Sequence, residues 1–309
     1  MNEIVVLGSA NMDLVVRQPR LPHPGETISG LAFTTIPGGK GLNQAIAAAR
    51  AGASVSFLGA VGRDVFGSEL RDCLQRDGID VRGLQDVDVD TGTAHVSVVD
   101  GGENAIVVVP GANDSITALS DVAKKQIREA RFLLAQFERP TALILEAFRL
   151  AKEAGVTTVL TPAPVREISE ELMTLVDVLV PNAQEACELA GVSDEETAAT
   201  HLSRSVGLVV MTRGSRGALV AKEGELIRTV PALPTRPVDT TAAGDTFVGA
   251  LVAILVEGMP LEHALSAATA AASISVTREG ASTSMPTRAE ILELATLSKL
   301  VKHPLDTVV

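Results

Sequence analysis

The 309-residue sequence predicts an α/β fold: a mostly parallel sheet with helices on both faces, plus a small inserted β-sheet. Three observations carry this. Short, continuously apolar runs recur along the chain, as strands buried on both faces of a parallel sheet do. Helical patterns lie between most of those runs. Two segments break the rhythm and read as strands of another kind. Hydrophobic residues make up 46% and charged residues 21%, enough for a sizeable core. At ~150 residues per domain, the length suits about two domains, or one large domain with an appendage.

The elements follow in order. Ile4–Leu7 is the first buried strand. Residues 12–37 carry Pro19, Pro22, Pro24 and Pro37 around a β-like patch near Ile28–Ile36. A helix is expected over 41–51, a strand at Val55–Leu58 and a helix over 65–77. In residues 92–110, Thr93, His95 and Ser97 alternate with Ala94, Val96 and Val98, the pattern of a strand with one wet face. Asp100–Asn104 then reads as a turn and Ala105–Val109 as a second strand. Segments 12–37 and 92–110 either stand as surface hairpins or pair into a second sheet. The expectation adopted is a β lid over a main domain of residues 1–11, 38–91 and 111–309. Strands Phe132–Ala135, Thr157–Leu160, Val176–Val180 and Leu208–Met211 follow, with helices over 140–154, 183–190 and 196–205. Helices over about 243–256, 261–277 and 287–297 complete the chain. The β-then-α order implies right-handed crossovers.

Composition excludes several functions. There are 26 Lys+Arg against 38 Asp+Glu, a net charge of −12, with no basic cluster. That argues against nucleic acid and against an anionic membrane surface as partners. Seven Phe with no Trp or Tyr leave no base-stacking platform. Cys73 and Cys187 cannot build a disulfide framework, so a reduced, cytoplasmic setting is expected. The start MNEIVVLGSA lacks the pattern of a signal peptide, and no apolar stretch approaches the ~20 residues that span a bilayer. The five His are scattered, without metal-ligand spacing. No G-x-S-x-G, H-E-x-x-H or G-x-G-x-x-G occurs.

In an open α/β sheet, ligands bind beyond the carboxyl ends of the strands. Gly8, Ser9, Asn11 and Asp13 follow the first strand; Gln136 and Glu138 follow Phe132–Ala135. Asn182 and Glu185 follow Val176–Val180, and Thr212, Arg213, Gly214, Ser215, Arg216 and Gly217 follow Leu208–Met211. Gly38, Gly39, Lys40 and Gly41 form a glycine-rich loop before the small-residue helix Ala45–Ala49. A Walker A loop would need Gly at position 34 and Ser or Thr at 41, and the chain has Thr34 and Gly41. The glycines still admit close backbone approach. Lys40 at a helix start opposes the helix dipole, which makes sense beside an anion or sugar hydroxyl, or else as a solvated turn lysine. Asn182 with Glu185 three residues on has capping-box spacing, which needs no ligand. The strongest segment is Asp239-Thr240-Thr241-Ala242-Ala243-Gly244-Asp245, leading into apolar Val248–Val256. Small residues at a helix start expose N–H groups, an anion hole. Asp245 would be a carboxylate beside that hole, or a dipole partner worth about 0.3–1 kcal/mol.

The segments DTTAAGDTF (239–247) and PGGKGLNQA (37–45) resemble the two signatures of the ribokinase-like carbohydrate kinases. The resemblance spans nearly the whole chain in order and spacing. GSANMD (8–13) resembles the stretch through which members hold a sugar, and Glu138 in LLAQFERP falls where a sugar-binding Glu sits. The resemblance implies ATP-dependent phosphorylation of a sugar, with ribose expected; deoxyribose, fructose, or a non-catalytic sugar- or nucleotide-binding regulator are the alternatives. It implies Asp245 as general base and the N–H groups of Ala242, Ala243 and Gly244 as the anion hole. Asn11, Asp13, Gly38, Gly39, Lys40, Asn43 and Glu138 would surround the sugar. Asn182, Thr212, Arg213, Gly214, Ser215, Arg216, Gly217, Gly244 and Thr269 would line ATP. Glu185 would hold Mg²⁺ through water. Asp239, Thr241, Ser275, Arg278, Gly280 and Ser284 would surround a monovalent cation, K⁺, several through carbonyls. A homodimer through the lid is also implied. The chain departs from the pattern at Thr269, where members commonly have His near adenine, and at Leu42, commonly Ala.

Overall fold

The computed structural model describes residues 3–99, 101 and 104–301. Among them the first strands are β1 (Ile4–Leu7), β2 (Asn11–Arg17), β3 (Ala32–Gly38), β4 (Val55–Gly62), β5 (Leu84–Val87), β6 (Gly92–Val98) and β7 (Asn104–Val109). Then come β8 (Phe132–Gln136), β9 (Thr157–Thr161), β10 (Val178–Leu179), β11 (Leu208–Thr212), β12 (Ala218–Lys222) and β13 (Glu225–Val230). The helices are α1 (Lys40–Arg50), α2 (Val65–Arg76), α3 (Ala112–Ser115), α4 (Asp121–Arg128), α5 (Thr141–Glu153) and α6 (Glu170–Thr174). They continue as α7 (Ala183–Ala190), α8 (Glu195–Leu202), α9 (Ala243–Val256), α10 (Leu261–Ser275) and α11 (Arg288–Val301).

The large sheet has the order β13-β12-β11-β10-β9-β8-β1-β4-β5. Pairing is parallel from β11 to β5, and the β12–β13 hairpin extends one edge antiparallel. The chain builds outward from β1 through β4 to β5, then returns to place β8 on the other side of β1. The order therefore reverses between β1 and β8, which opens a crevice at their carboxyl ends. Every β1 residue is buried. Ile4 and Val6 pack with Leu42 and Ile46 of α1, Leu70 of α2 and Leu251 of α9. Val5 and Leu7 face the opposite layer, with Ile127 of α4, Phe148 of α5 and Leu202 of α8. Each such side chain contributes about 1.5–3 kcal/mol by leaving water.

Eleven of the 14 residues of α9 are buried, which explains its unbroken apolar run. Gly249 lets α1 press against it: a Cβ there would lie 2.5 Å from Ala47 Cβ. The alanines of α1 thus serve close helix contact, and that contact carries α1 side chains to the start of α9.

The second sheet runs β3-β2-β6-β7, with β2–β6 parallel and the outer pairs antiparallel. The two interrupting segments do pair with each other. Strand β2 was not expected, because Asn11 and Asp13 interrupt its apolar run. The expected patch near 28–36 is instead β3, in register Asn11↔Gly38 to Arg17↔Ala32. The turn expected at Asp100–Asn104 lies largely outside the described residues. The strand expected at Val176–Val180 pairs only over Val178–Leu179, the helix expected over 196–205 stops at Leu202, and that over 261–277 stops at Ser275. Elements β5, β12, β13, α3, α4 and α6 carried no apolar or helical pattern strong enough to be expected. Among the described residues no helix is long and apolar enough to cross a membrane.

Candidate active site

The glycine-rich loop exists because α1 starts directly against the end of β1. A Cβ on Gly41 would meet Gly8 Cα at 2.4 Å, and one on Gly39 would meet the Asn11 nitrogen at 2.9 Å. Gly39 also adopts φ +92°, a conformation that glycine tolerates best. This junction is pinned by Glu138: its Oε2 accepts the Lys40 N–H at 2.9 Å and the Ser9 hydroxyl. A carboxylate on a helix N-terminus is electrostatically favourable.

Four further side chains converge on the crevice: Asp13, Asp245, Lys40 and Asn11. Asp13 reaches in from β2, with Gly38 packed against it: a Cβ there would lie 2.4 Å from Asp13 Oδ2. Burial, then the charges of Glu138 and Asp245, push the Asp13 carboxyl up to about 7. Asp245, 8% exposed, sits in the first turn of α9. It accepts Gln44 Nε2 at 2.9 Å and Asn43 Nδ2 at 3.3 Å. Burial pushes its carboxyl above the ordinary range, opposed by Lys40, Gln44 and Asn43. The Lys40 ammonium is held above its usual value chiefly by Asp245, against burial, with Glu138 and Glu185 adding. Lys40 is thus a cation amid three carboxylates, which accounts for a lysine at a helix start. Asn11 is fixed by Asn113, whose Nδ2 donates to Asn11 Oδ1 at 2.7 Å while its Oδ1 accepts Ala10 N–H at 3.0 Å.

Ala242, at the N-cap of α9, adopts left-handed φ +56° and no side chain caps the helix. Such a conformation costs a non-glycine residue of order 1 kcal/mol, strain that recurs at functional sites. The unblocked helix end lies on a cavity of about 680 Å³. Lys40, Glu185, Gly244 and Asp245 line it, as do Thr212, Gly214, Ser215 and Gly217. Asn182, Ala242, Ala243 and Thr269 are also on its wall, and the Thr269 hydroxyl is buried there with no partner among the described residues. Leu233, Pro234, Phe247, Val248 and Val276 make part of the wall apolar.

The expected nucleotide residues Arg213 and Arg216 do not line this cavity. Arg216 pairs with Glu195 at 2.5 Å, and Arg213 lies 4.0 Å from the same carboxylate. The carboxylate at the start of α8 draws both guanidinium groups aside and leaves the glycines to face the cavity. Asn182 and Glu185 form the capping box, both bonds 2.8 Å, and still lie on the cavity wall. Burial raises the Glu185 carboxyl.

Asp239 ties two segments together. Its Oδ1 accepts Thr241 N–H and Oγ–H at 2.9 and 2.6 Å, and its Oδ2 accepts Gly280 N–H at 2.9 Å. Burial raises its carboxyl, but these donors outweigh it and hold it below the ordinary value. Ser275 and Ser284 are buried, with hydroxyls bonded to the carbonyls of Ala272 and Ala281. Arg278 pairs with Glu290. Among the described residues no group of three or more His, Cys, Asp or Glu has metal-holding geometry.

Gln136 was legible as a strand-end residue, but its partner was not, and Gln44, Asn113 and the 232–237 wall had no expected role. Gln44, Gln136 and Asn113 act through partners far along the chain. The 232–237 wall carried no signal beyond its prolines.

A parallel sheet with its crevice at the switch point, an uncapped helix start and a buried carboxylate beside it define a phosphotransfer-type site. The chain matches the description "pfkB family carbohydrate kinase" over residues 1–288. It is 39% identical to a ribokinase of Haemophilus influenzae over 298 residues, covering 94% of this chain and 97% of that one. It is 40% identical to a ribokinase of Bacillus subtilis, covering 95% and 99%. A solved Arabidopsis thaliana ribokinase, complexed with ribose and ATP, superposes with a TM-score of 0.90 at 34% identity, covering 95% and 98%. The chain belongs to the pfkB family of carbohydrate kinases.

Proposed function

We propose that this protein transfers the γ-phosphoryl group of ATP to D-ribose, giving D-ribose 5-phosphate and ADP. The observation that carries this is Asp245: a buried carboxylate at an uncapped helix start, between the Asn11–Asp13–Glu138 crevice and the 680 Å³ cavity. The relatives named ribokinases support ribose as the sugar. The test is ADP release, which should require both ribose and Mg·ATP.

Asn11, Asp13 and Glu138 bind the sugar hydroxyls, with Gly38, Gly39, Lys40 and Asn43 closing the pocket. Asp245 takes the proton from the 5-hydroxyl as that oxygen attacks the γ-phosphorus. The bond to the β,γ-bridging oxygen breaks and ADP leaves. The N–H groups of Ala242, Ala243 and Gly244 face the charge that spreads over the transferring group. Thr212, the glycines and Ser215 of 214–217, and Thr269 line the nucleotide. Mg²⁺, when bound, neutralises phosphate charge, and Glu185 beside Asn182 fits an ion that keeps most of its own water. K⁺ fits the Asp239, Thr241, Ser275, Arg278, Gly280 and Ser284 region. There Asp239 stays anionic, and the serine hydroxyls donate to the Ala272 and Ala281 carbonyls, so their oxygen lone pairs and nearby main-chain carbonyls are the available neutral ligands. Closure of the β2–β3–β6–β7 sheet over the sugar excludes water as a competing acceptor. A cytoplasmic setting suits this reaction.

The same sheet supports a homodimer. Leu31 and Phe33 are 68% and 62% exposed, and Ile106 and Val107 of edge strand β7 are 53% and 65% exposed. Exposed apolar edge strands invite pairing. Light scattering at micromolar concentration should give twice the chain mass of 32.1 kDa. A fully active species of single-chain mass would contradict it.

A further inference from the structure

The carboxylate of Asp245 is held by an amide that is itself held. Gln44 and Gln136 are both fully buried. Gln44 Nε2 donates to Asp245 Oδ1 at 2.9 Å and approaches Thr161 Oγ1 at 3.4 Å. Gln136 Nε2 donates to Gln44 Oε1 at 2.6 Å. A carboxylate only accepts, so Gln44 has to turn its NH₂ toward Asp245 and its carbonyl toward Gln136. Donation therefore runs toward the carboxylate, from Gln136 through Gln44 to Asp245. It joins α9, α1 and the end of β8, on the three sides of the crevice. Neither amide lines the nucleotide cavity. Gln136 Oε1 stays buried without a donor among the described residues, and a Cβ on Gly8 would lie 2.7 Å from it. A pair serving packing alone would be better replaced by apolar side chains, which leave no buried acceptor unmet.

We infer that Gln136 and Gln44 form a positioning relay: Gln136 fixes Gln44, and Gln44 fixes the carboxylate of Asp245 toward the sugar hydroxyl. This rests on Asp245 being the base in the proposed reaction. The bond from Gln44 also favours the ionised carboxylate, against burial. The charged groups facing Asp245 are Lys40 from α1, Glu138 from the loop after β8, Asp13 from β2 and Glu185 from α7.

The test is the pH profile of kcat at saturating ribose and ATP, where sugar already engages Asp13. The proteins are full-length Gln136→Met, Gln44→Met and the double variant. Gln136→Met should lower kcat about 3–10-fold and Gln44→Met about 10–100-fold, each a fraction of the roughly 10²–10⁴-fold that a general base contributes. Both should move the acid limb upward by at least about half a pH unit, while both KM values stay within about threefold. The double variant should be no worse than Gln44→Met, since residues in one network are not additive. An unmoved acid limb, or losses that multiply in the double variant, would overturn the relay and leave two independent packing residues. Should Gln44→Met fail to fold, Gln136→Met carries the test, because it keeps the Gln44 side chain and removes only the bond that orients it. Wild-type turnover of ribose separates the outcomes: its absence would remove the substrate assignment, whereas its presence with unmoved profiles would remove the relay alone.

Discussion

Asp245→Asn should lower kcat by about 10²–10⁴ while ribose binding stays within a few-fold. Asn has nearly the same shape but cannot take the proton from the attacking hydroxyl. The bonds from Gln44 and Asn43 reach both carboxylate oxygens, so the amide turns one NH₂ group toward a donor and loses that bond. Removing a buried charge offsets this loss, and the melting temperature should move by only a few degrees. Single-turnover kinetics with calorimetric ribose titration checks both halves. A kcat within a few-fold of the parent would reduce Asp245 to a partner of the α9 dipole.

Asp13→Ala should act on the other axis. Hydrogen bonds to a charged group contribute about 1.5–3 kcal/mol each, so ribose affinity should fall by about 10²-fold. At saturation kcat should change little, because these bonds exist in ground and transition states alike. The raised carboxyl adds a pH signature. Folded Asp13 titrates at about 7 instead of 3.8, so between those values the folded state binds the proton and the unfolded state does not. Stability of the free protein should therefore fall as pH rises through that window. Sugar hydroxyls donate to the ionised form, so ribose affinity should rise with pH through about 7 and level off above it. Titrations from pH 5.5 to 8.5 check this, and Asp13→Asn should remove the slope. A flat profile for the parent would mean that Asp13 is already ionised in the free pocket.

What the sequence reveals depends on how local the cause is. The buried strands and the long helices were legible because their apolar patterns are written within a few residues. The glycines around Lys40 and the small residues before Asp245 were legible because backbone approach and helix starts are local too. The Asn182–Glu185 spacing was also readable as a capping box, and the box forms while remaining on the cavity wall. Contacts across the fold left no such trace. Gln44 meets Gln136 and Asp245 at separations of 92 and 201 residues, and Asn113 meets Asn11 across 102. A glutamine in an alanine-rich helix gives no sign of either partner. The side chains of Arg213 and Arg216 were misplaced for the same reason, since Glu195 lies on a separate helix.

In the proposed reaction the crevice holds ribose and Asp245 activates its 5-hydroxyl toward ATP. Phosphorus NMR of the product formed from ribose and Mg·ATP, beside ADP-release rates for deoxyribose, fructose and other pentoses and hexoses, tests it most directly. One phosphomonoester on carbon 5, formed in step with ADP, and the highest kcat/KM for ribose are the expected results. ADP release that no sugar stimulates, a product phosphorylated at another carbon, or a hexose preferred by tenfold or more, about 1.4 kcal/mol, would contradict it.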